Sequence, residues 1–185
     1  SIAFSLTYLK YNESAIISKL FTKDKGLQTF IINGVRKKKS RNKLSLFKPL
    51  QLLNISATYS EKRSLQHINE ISFYDTNYLD NNNIHNQFIS LFISEVLAKT
   101  LKENQQETGI FNYLLDIKKD FKNNLNANYS ICFLLNLSSF FGFYPSSENL
   151  TGAFFDLESG IFIDKESSST INNNDSENLK NLISN

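Results

Sequence analysis

A regular alternation of apolar and polar residues at the start of the chain restricts what it can fold into. In residues 1–10, SIAFSLTYLK, Ile2, Phe4, Leu6 and Tyr8 lie on one side of an extended backbone and Ala3, Ser5 and Thr7 on the other. A period of two is typical of a strand with one buried face. Similar runs follow at residues 15–22, 26–32, 44–60 and 65–74. The fourth strand is expected to begin after Pro49, because proline has no N–H to give to a sheet.

Five short strands joined by short turns and one long connection predict a small closed barrel. A five-stranded barrel of the OB type is the leading interpretation, because it holds this number of strands and binds oligonucleotides. An SH3-like barrel would give much the same pattern. The strand count therefore favours a nucleic-acid-binding barrel without deciding between the two.

The pattern changes after residues 75–83, DTNYLDNNN, which are polar and rich in turn-forming residues. Apolar spacings of three and four then predict helices at about 84–103, 108–122 and 128–141. The third is apolar over most of its circumference and is expected to be the buried one. A hairpin is predicted within residues 153–163 and the start of a helix at 175–185. The expected fold is α+β, with a barrel domain at 1–78 and a helical domain with a small hairpin insertion at 79–185.

The long connection carries an unbalanced positive charge. No Asp or Glu occurs between Asp24 and Glu61, and the eight Lys and Arg residues of that window give it a charge of +8, which leaves −6 for the rest of the chain. Such a run cannot be buried without partners. It is either a solvated loop that aids solubility or a surface that binds a polyanion and releases its counterions. The candidate DNA-binding residues are Arg36, Lys37, Lys38, Lys39, Arg41, Lys43 and Lys48.

The residues argue against catalysis and against a metal site. No nucleophile, base and orienting group suggest themselves, and neither a phosphate-cradling glycine loop nor a carboxylate cluster for magnesium occurs. His67 and His85 are far apart and have no Cys or carboxylate at ligand spacing. The single cysteine, Cys132, excludes an internal disulfide and is expected to be a small buried side chain. We therefore expect no enzyme activity, no cofactor, no metal and no small-molecule substrate.

No apolar run approaches the roughly 20 residues that a membrane-spanning helix needs. A soluble protein in a reducing cytoplasm is expected. Since the chain has no Met and starts inside a strand-like pattern, we expect residues to be missing at its N-terminus.

Several segments taken together resemble the RecO family of bacterial DNA repair and recombination mediators, over essentially the whole chain. The matching segments are TYLKYNESAIISKLFTKDKG at Thr7 to Gly26, NGVRKKKS at Asn33 to Ser40, FKPLQLL at Phe47 to Leu53, LFISEVLAKTL at Leu91 to Leu101, FGFYP at Phe141 to Pro145 and FDLESGIF at Phe155 to Phe162.

The resemblance implies an N-terminal OB-fold packed on a helical domain, and a cytoplasmic, nucleoid-associated bacterial protein. It further implies binding to single- and double-stranded DNA, annealing of complementary strands, and cooperation with RecR to load RecA onto DNA covered by single-strand-binding protein. The basic residues named above fall where the family contacts DNA. Some members hold a structural zinc through cysteines after the FGFYP segment. Residues 144–164 contain no cysteine here, so that zinc is expected to be absent.

Two further expectations concern individual side chains. Phe30, Phe47 and Tyr59 are either base-stacking residues or core, because alternation alone does not show which face is inside. The resemblance also implies that the helical half captures the acidic, apolar C-terminal tail of the single-strand-binding protein, with Lys118, Lys119 and Lys122 as rim candidates.

The rival functions are an RNA-binding OB protein and an adaptor whose basic loop meets an acidic protein surface.

Overall fold

The computed structural model describes residues 1–35, 38–60, 62–75, 83–123 and 125–184, with the backbone alone for 38–42. Contacts between residues group the chain into two compact units, Ser1–Ala127 and Asn128–Asn185. The predicted domain boundary at 78/79 lies outside the described residues. It stays a prediction, although the first compact unit contains two helices besides the strands.

The five predicted strands form a closed barrel in the order β1-β2-β3-β5-β4. Neighbouring strands pair antiparallel except β3 and β5, which are parallel, and β1 closes the barrel against β4. This is the strand order of an OB-like barrel, so the OB interpretation is confirmed. The strands are β1 (Ile2–Lys10), β2 (Ile16–Thr22), β3 (Gly26–Ile32), β4 (Leu52–Thr58) and β5 (Gln66–Phe73).

The barrel core is built from one face of each strand, and in β1 that face carries Ala3, which lies on the opposite side from Phe4. In β3, Phe30 and Ile32 are buried while Thr29 and Ile31 are partly exposed. Phe30 packs in one cluster with Leu20 of β2 and Leu53 of β4. Phe30 is therefore a core residue and not a base-stacking residue.

A 3₁₀ helix, Lys38–Phe47, lies between β3 and β4, within the long basic connection. Leu46 and Phe47 at its end pack in the barrel core together with Val35. Phe47 is fully buried, so it too is core. The apolar end of the connection is held in the barrel because burying these side chains removes their surface from water.

Two helices pack against the barrel within the first unit: α1 (Ile84–Thr100) and α2 (Thr108–Asp120). Phe111 of α2 is buried, and its ring centroid lies 5.2 Å from that of Phe4 and 5.5 Å from that of Phe21. The connection between the helices runs beside β3 so closely that a Cβ at Gly26 would meet the Gln105 carbonyl oxygen at 1.8 Å. Gly26 also has a φ of +67°, a conformation that favours glycine.

The second unit contains α3 (Tyr129–Phe140), the predicted hairpin β6 (Phe154–Asp156) and β7 (Ile161–Ile163), and α4 (Asn173–Ile183). The prediction that α3 is the buried helix is wrong. Phe133 and Leu137 are buried, but Ile131, Leu134 and Phe140 are exposed and Cys132 is only partly buried. A two-stranded hairpin and one further helix do not offer enough surface to cover an apolar helix on all sides.

Candidate nucleic-acid interface

The basic segment, residues 36–48, starts at the end of the barrel where β3 finishes. Arg36 and Lys37 lie outside the described residues. Lys38, Lys39 and Arg41 lie on the 3₁₀ helix, of which only the backbone is described at those positions. Lys43 and Lys48 are exposed. The candidate positions that the structure describes thus lie on the connection between β3 and β4.

Local bonding fixes where this segment leaves the barrel. The backbone of Ser5 in β1 accepts from the Leu50 N–H at 2.8 Å and donates to the Gln51 carbonyl at 2.9 Å. Leu50 itself has a φ of +55°, a left-handed conformation that turns the chain sharply between Lys48 and β4. The buried Phe47 precedes this turn, so Lys48 is held at the surface between the buried Phe47 and the hydrogen-bonded Leu50.

Two exposed aromatic side chains lie at the end of β1, and Tyr8 contacts the basic segment at Phe47. Tyr8 is 40% exposed and Tyr11 57% exposed. The Tyr8 ring meets the buried ring of Phe47 edge-on, with centroids 6.4 Å apart. Sequence reasoning had placed Tyr8 on the same face as the buried Phe4. The two differ because the β1–β2 register shifts between Ser5 and Thr7.

Three exposed lysines of β1 and the basic segment have no carboxylate partner in the described part of the chain. Its ion pairs join Lys119 to Asp116 and Lys180 to Glu177, both three residues apart on one helix. Neither involves Lys10, Lys43 or Lys48, which are all exposed. Proteins that bind single-stranded nucleic acids combine positive charges, which contact the backbone, with aromatic rings on which bases stack.

A groove of about 410 Å³ borders the same turn. Its apolar wall comes from α1, where Ile84, Phe88 and Leu91 are exposed. Lys48 and Lys118 supply its positive charge. Burial lowers the pKa of Lys118, and its ammonium lies 3.4 Å from the Leu50 carbonyl oxygen, to which it donates.

The other predicted rim residues lie elsewhere. Lys119 pairs with Asp116 at 2.7 Å and lines a separate cavity with Tyr74 and Leu115. Lys122 does not line the groove described above.

Among the described residues, no group of three or more His, Cys, Asp or Glu side chains is placed to hold a metal ion. No described helix is both long and apolar enough to cross a lipid bilayer.

Comparison with known proteins agrees with the barrel and its sequence motifs. The family model described as "Recombination protein O N terminal" matches residues 1–77. The DNA repair protein RecO of Christiangramia forsetii is 31% identical over 169 residues, covering 88% of this chain and 69% of that protein. That of Bacteroides fragilis strain YCH46 is 30% identical over 170 residues, covering 88% and 68%.

A longer match extends to nearly the whole chain. The DNA repair protein RecO of Flavobacterium psychrophilum is 27% identical over 183 residues, covering 98% of this chain and 77% of that protein. The matches thus extend beyond the barrel into the helices that follow it. Together with the five-stranded barrel and the basic segment that follows β3, they show that the chain belongs to the RecO family.

Proposed function

We propose that this protein is a DNA-binding recombination mediator in DNA repair. It binds single- and double-stranded DNA through the basic segment and anneals complementary strands. With RecR, it helps load RecA onto DNA covered by single-strand-binding protein. Membership of the RecO family supports this role.

The observation that carries the proposal is the exposed charge next to the barrel. Lys43 and Lys48 are exposed, lie on a segment anchored by Phe47, and have no carboxylate partner among the described residues. A segment held in this way keeps its charges pointing at solvent. Phosphate contacts then gain free energy from counterion release.

Two rival functions make different predictions. An RNA-binding barrel would prefer an RNA oligonucleotide over DNA of the same sequence. An adaptor whose basic segment meets an acidic protein would bind neither, so removing the charge would leave its behaviour towards DNA unchanged.

Strand annealing tests the proposal directly. Complementary oligonucleotides are mixed with and without single-strand-binding protein, using the full chain and a Lys43→Glu, Lys48→Glu variant. A matched control, Lys99→Glu with Lys165→Glu, makes the same charge change at exposed positions on α1 and in the second unit. We expect annealing to fall in the first variant and to persist in the control. Equal annealing by both variants and the unchanged protein would refute the role of the basic segment.

The groove beside α1 supports a second part of the proposed function, the binding of a protein partner. We infer that it receives the acidic, apolar C-terminal tail of the single-strand-binding protein. Apolar tail residues would cover Ile84, Phe88 and Leu91, and its carboxylates would pair with Lys118 and Lys48. An exposed apolar surface with a basic rim has the complementary chemistry for such a peptide.

A fluorescent tail peptide tests this inference on the full chain. The helical part alone is unsuitable, because α1 and α2 bury side chains such as Phe111 against the barrel. We expect Phe88→Ala and Lys118→Gln each to weaken peptide binding by about tenfold or more. Lys122→Gln, outside the groove, is the matched control. Unchanged peptide affinity in both groove variants would contradict the assignment.

A further inference from the structure

A further cavity lies on the barrel beside the β2–β3 turn. It has a volume of about 470 Å³, within the usual range for small-ligand sites. Three connections converge on it: the β2–β3 turn, the β4–β5 connection and the α1–α2 connection. Its lining includes Lys25, Tyr59, Arg63 and Asn104.

Hydrogen bonds between these connections hold the cavity walls in place. The Gln28 side-chain amide donates to the Lys25 carbonyl at 2.8 Å and to Asn104 Oδ1 at 3.0 Å. The Gln66 amide accepts from the Ser60 N–H at 2.8 Å and donates to the carbonyls of Ser60 and Arg63. Both glutamines are buried. The walls are therefore fixed before any ligand arrives, which lowers the ordering cost of binding.

The cavity offers two cations to a ligand. Lys25 Nζ lies 5.5 Å from the centroid of the Tyr59 ring, over its face. Arg63 is exposed and has no ion-pair partner among the described residues. With Asp24 on the rim, the described lining has a net charge of +1, from two cations and one anion. A guanidinium is suited to bidentate pairing with a phosphate, and a lysine adds a point charge.

The remaining polar groups suit the edge of a nucleobase. With its amide donors already used, Gln28 keeps its carbonyl oxygen as an acceptor, and Asn104 keeps its amide as a donor because its oxygen accepts from Gln28. Tyr59 stays a neutral phenol at working pH. Burial above all, and then the Asp24 carboxylate, raise the pKa of Tyr59 more than the Thr22 hydroxyl lowers it.

We propose that this cavity binds one nucleotide unit, with its phosphate between Lys25 and Arg63 and its base against the amides of Gln28 and Asn104. The unit is either part of a DNA strand or a free nucleotide. A site within a strand rests on the proposed function, since it adds a second contact point to a DNA already held by the basic segment. A site for a free nucleotide does not.

The test compares a Lys25→Gln, Arg63→Gln variant with a Lys99→Gln, Lys165→Gln control of equal charge change, all in the full chain. The first probe is deoxyadenosine monophosphate, followed by ¹H–¹⁵N spectra that include the side-chain amides. The second probe is a labelled single-stranded oligonucleotide, followed by fluorescence anisotropy. Circular dichroism and thermal unfolding confirm that each variant is folded.

We expect the mononucleotide to shift the side-chain amide signals of Gln28 and Asn104. In the cavity variant these shifts should disappear and strand affinity should fall about tenfold relative to the control, equivalent to about 1.4 kcal/mol. A response to the mononucleotide alone would assign a free nucleotide, and a response to the strand alone would assign a strand contact; either supports the site.

The proposal is overturned if cavity variant and control behave alike with both probes. Such a result would not affect the proposed DNA-binding function, because that function depends on Lys43 and Lys48. Conversely, loss of DNA binding altogether would remove the proposed function while the mononucleotide spectra still decide the cavity.

Discussion

Tyr8 and Tyr11 are exposed at the end of β1, where Lys10 and the basic segment supply charge. A ring of this kind stacks on a base only when the base is unpaired, since paired bases are stacked inside the duplex. We therefore predict that Tyr8→Ala with Tyr11→Ala weakens single-strand binding by about 1–3 kcal/mol for each base that loses its stacking partner. Duplex affinity should change little. Anisotropy with matched single- and double-stranded oligonucleotides measures both.

The matched control keeps the rings and removes only the hydroxyls. Tyr8→Phe with Tyr11→Phe should bind single strands as well as the unchanged protein, because Tyr8 still packs edge-on against Phe47. Equal losses for single strands and duplexes in the alanine variant would contradict a stacking role.

Lys118 gives a prediction about pH. Burial lowers its pKa in the folded state below the ordinary 10.5, so between the two pKa values the unfolded chain binds more protons than the folded one. Stability should therefore rise as pH increases from the lowered pKa towards 10.5, and lose that gain as pH falls back. Denaturant unfolding of the unchanged protein and of Lys118→Met should show a stability difference that varies with pH over this window. A constant difference would contradict the assigned burial effect.

At the scale of elements, Phe111 is one of the buried side chains of α2 and packs directly against the barrel strands. Phe111 is buried between Phe4 and Phe21. Phe111→Ala should cost roughly 3–5 kcal/mol of unfolding free energy through lost burial and the cavity left behind. Phe88→Ala, on a ring that is 65% exposed, is the control and should cost far less. Similar losses in both would show that α2 does not stabilise the barrel through Phe111.

The same scale shows what sequence could and could not predict. Alternation predicted all five strands, because apolar and polar residues alternate along a strand that has one buried and one exposed face. It did not predict the 3₁₀ helix, because Leu46 and Phe47 are apolar without a helical period and are placed by tertiary packing in the barrel. It also misjudged α3, because the number of apolar residues on a helix does not say how much partner surface the fold supplies.

For the whole molecule, the sequence predicted the charge distribution but only some of the candidate binding residues. The uncompensated window between Asp24 and Glu61 predicted a cationic segment on a barrel. The exposed rings of Tyr8 and Tyr11 were missed, since their exposure depends on a register shift and on where the barrel core ends. The cavity around Lys25 and Arg63 was also missed, because it joins connections that are distant in sequence.

The chain-wide claim is that a cationic segment, anchored at Phe47, binds the phosphates of DNA. The most direct measurement is the affinity of the full chain for a labelled single strand across a range of salt concentrations. If about five of its charges meet phosphates, log affinity plotted against log salt should have a slope of roughly −3.5, and removing Lys43 and Lys48 should reduce its magnitude by about 1.4. A slope near zero, or one unchanged by that removal, would contradict the account.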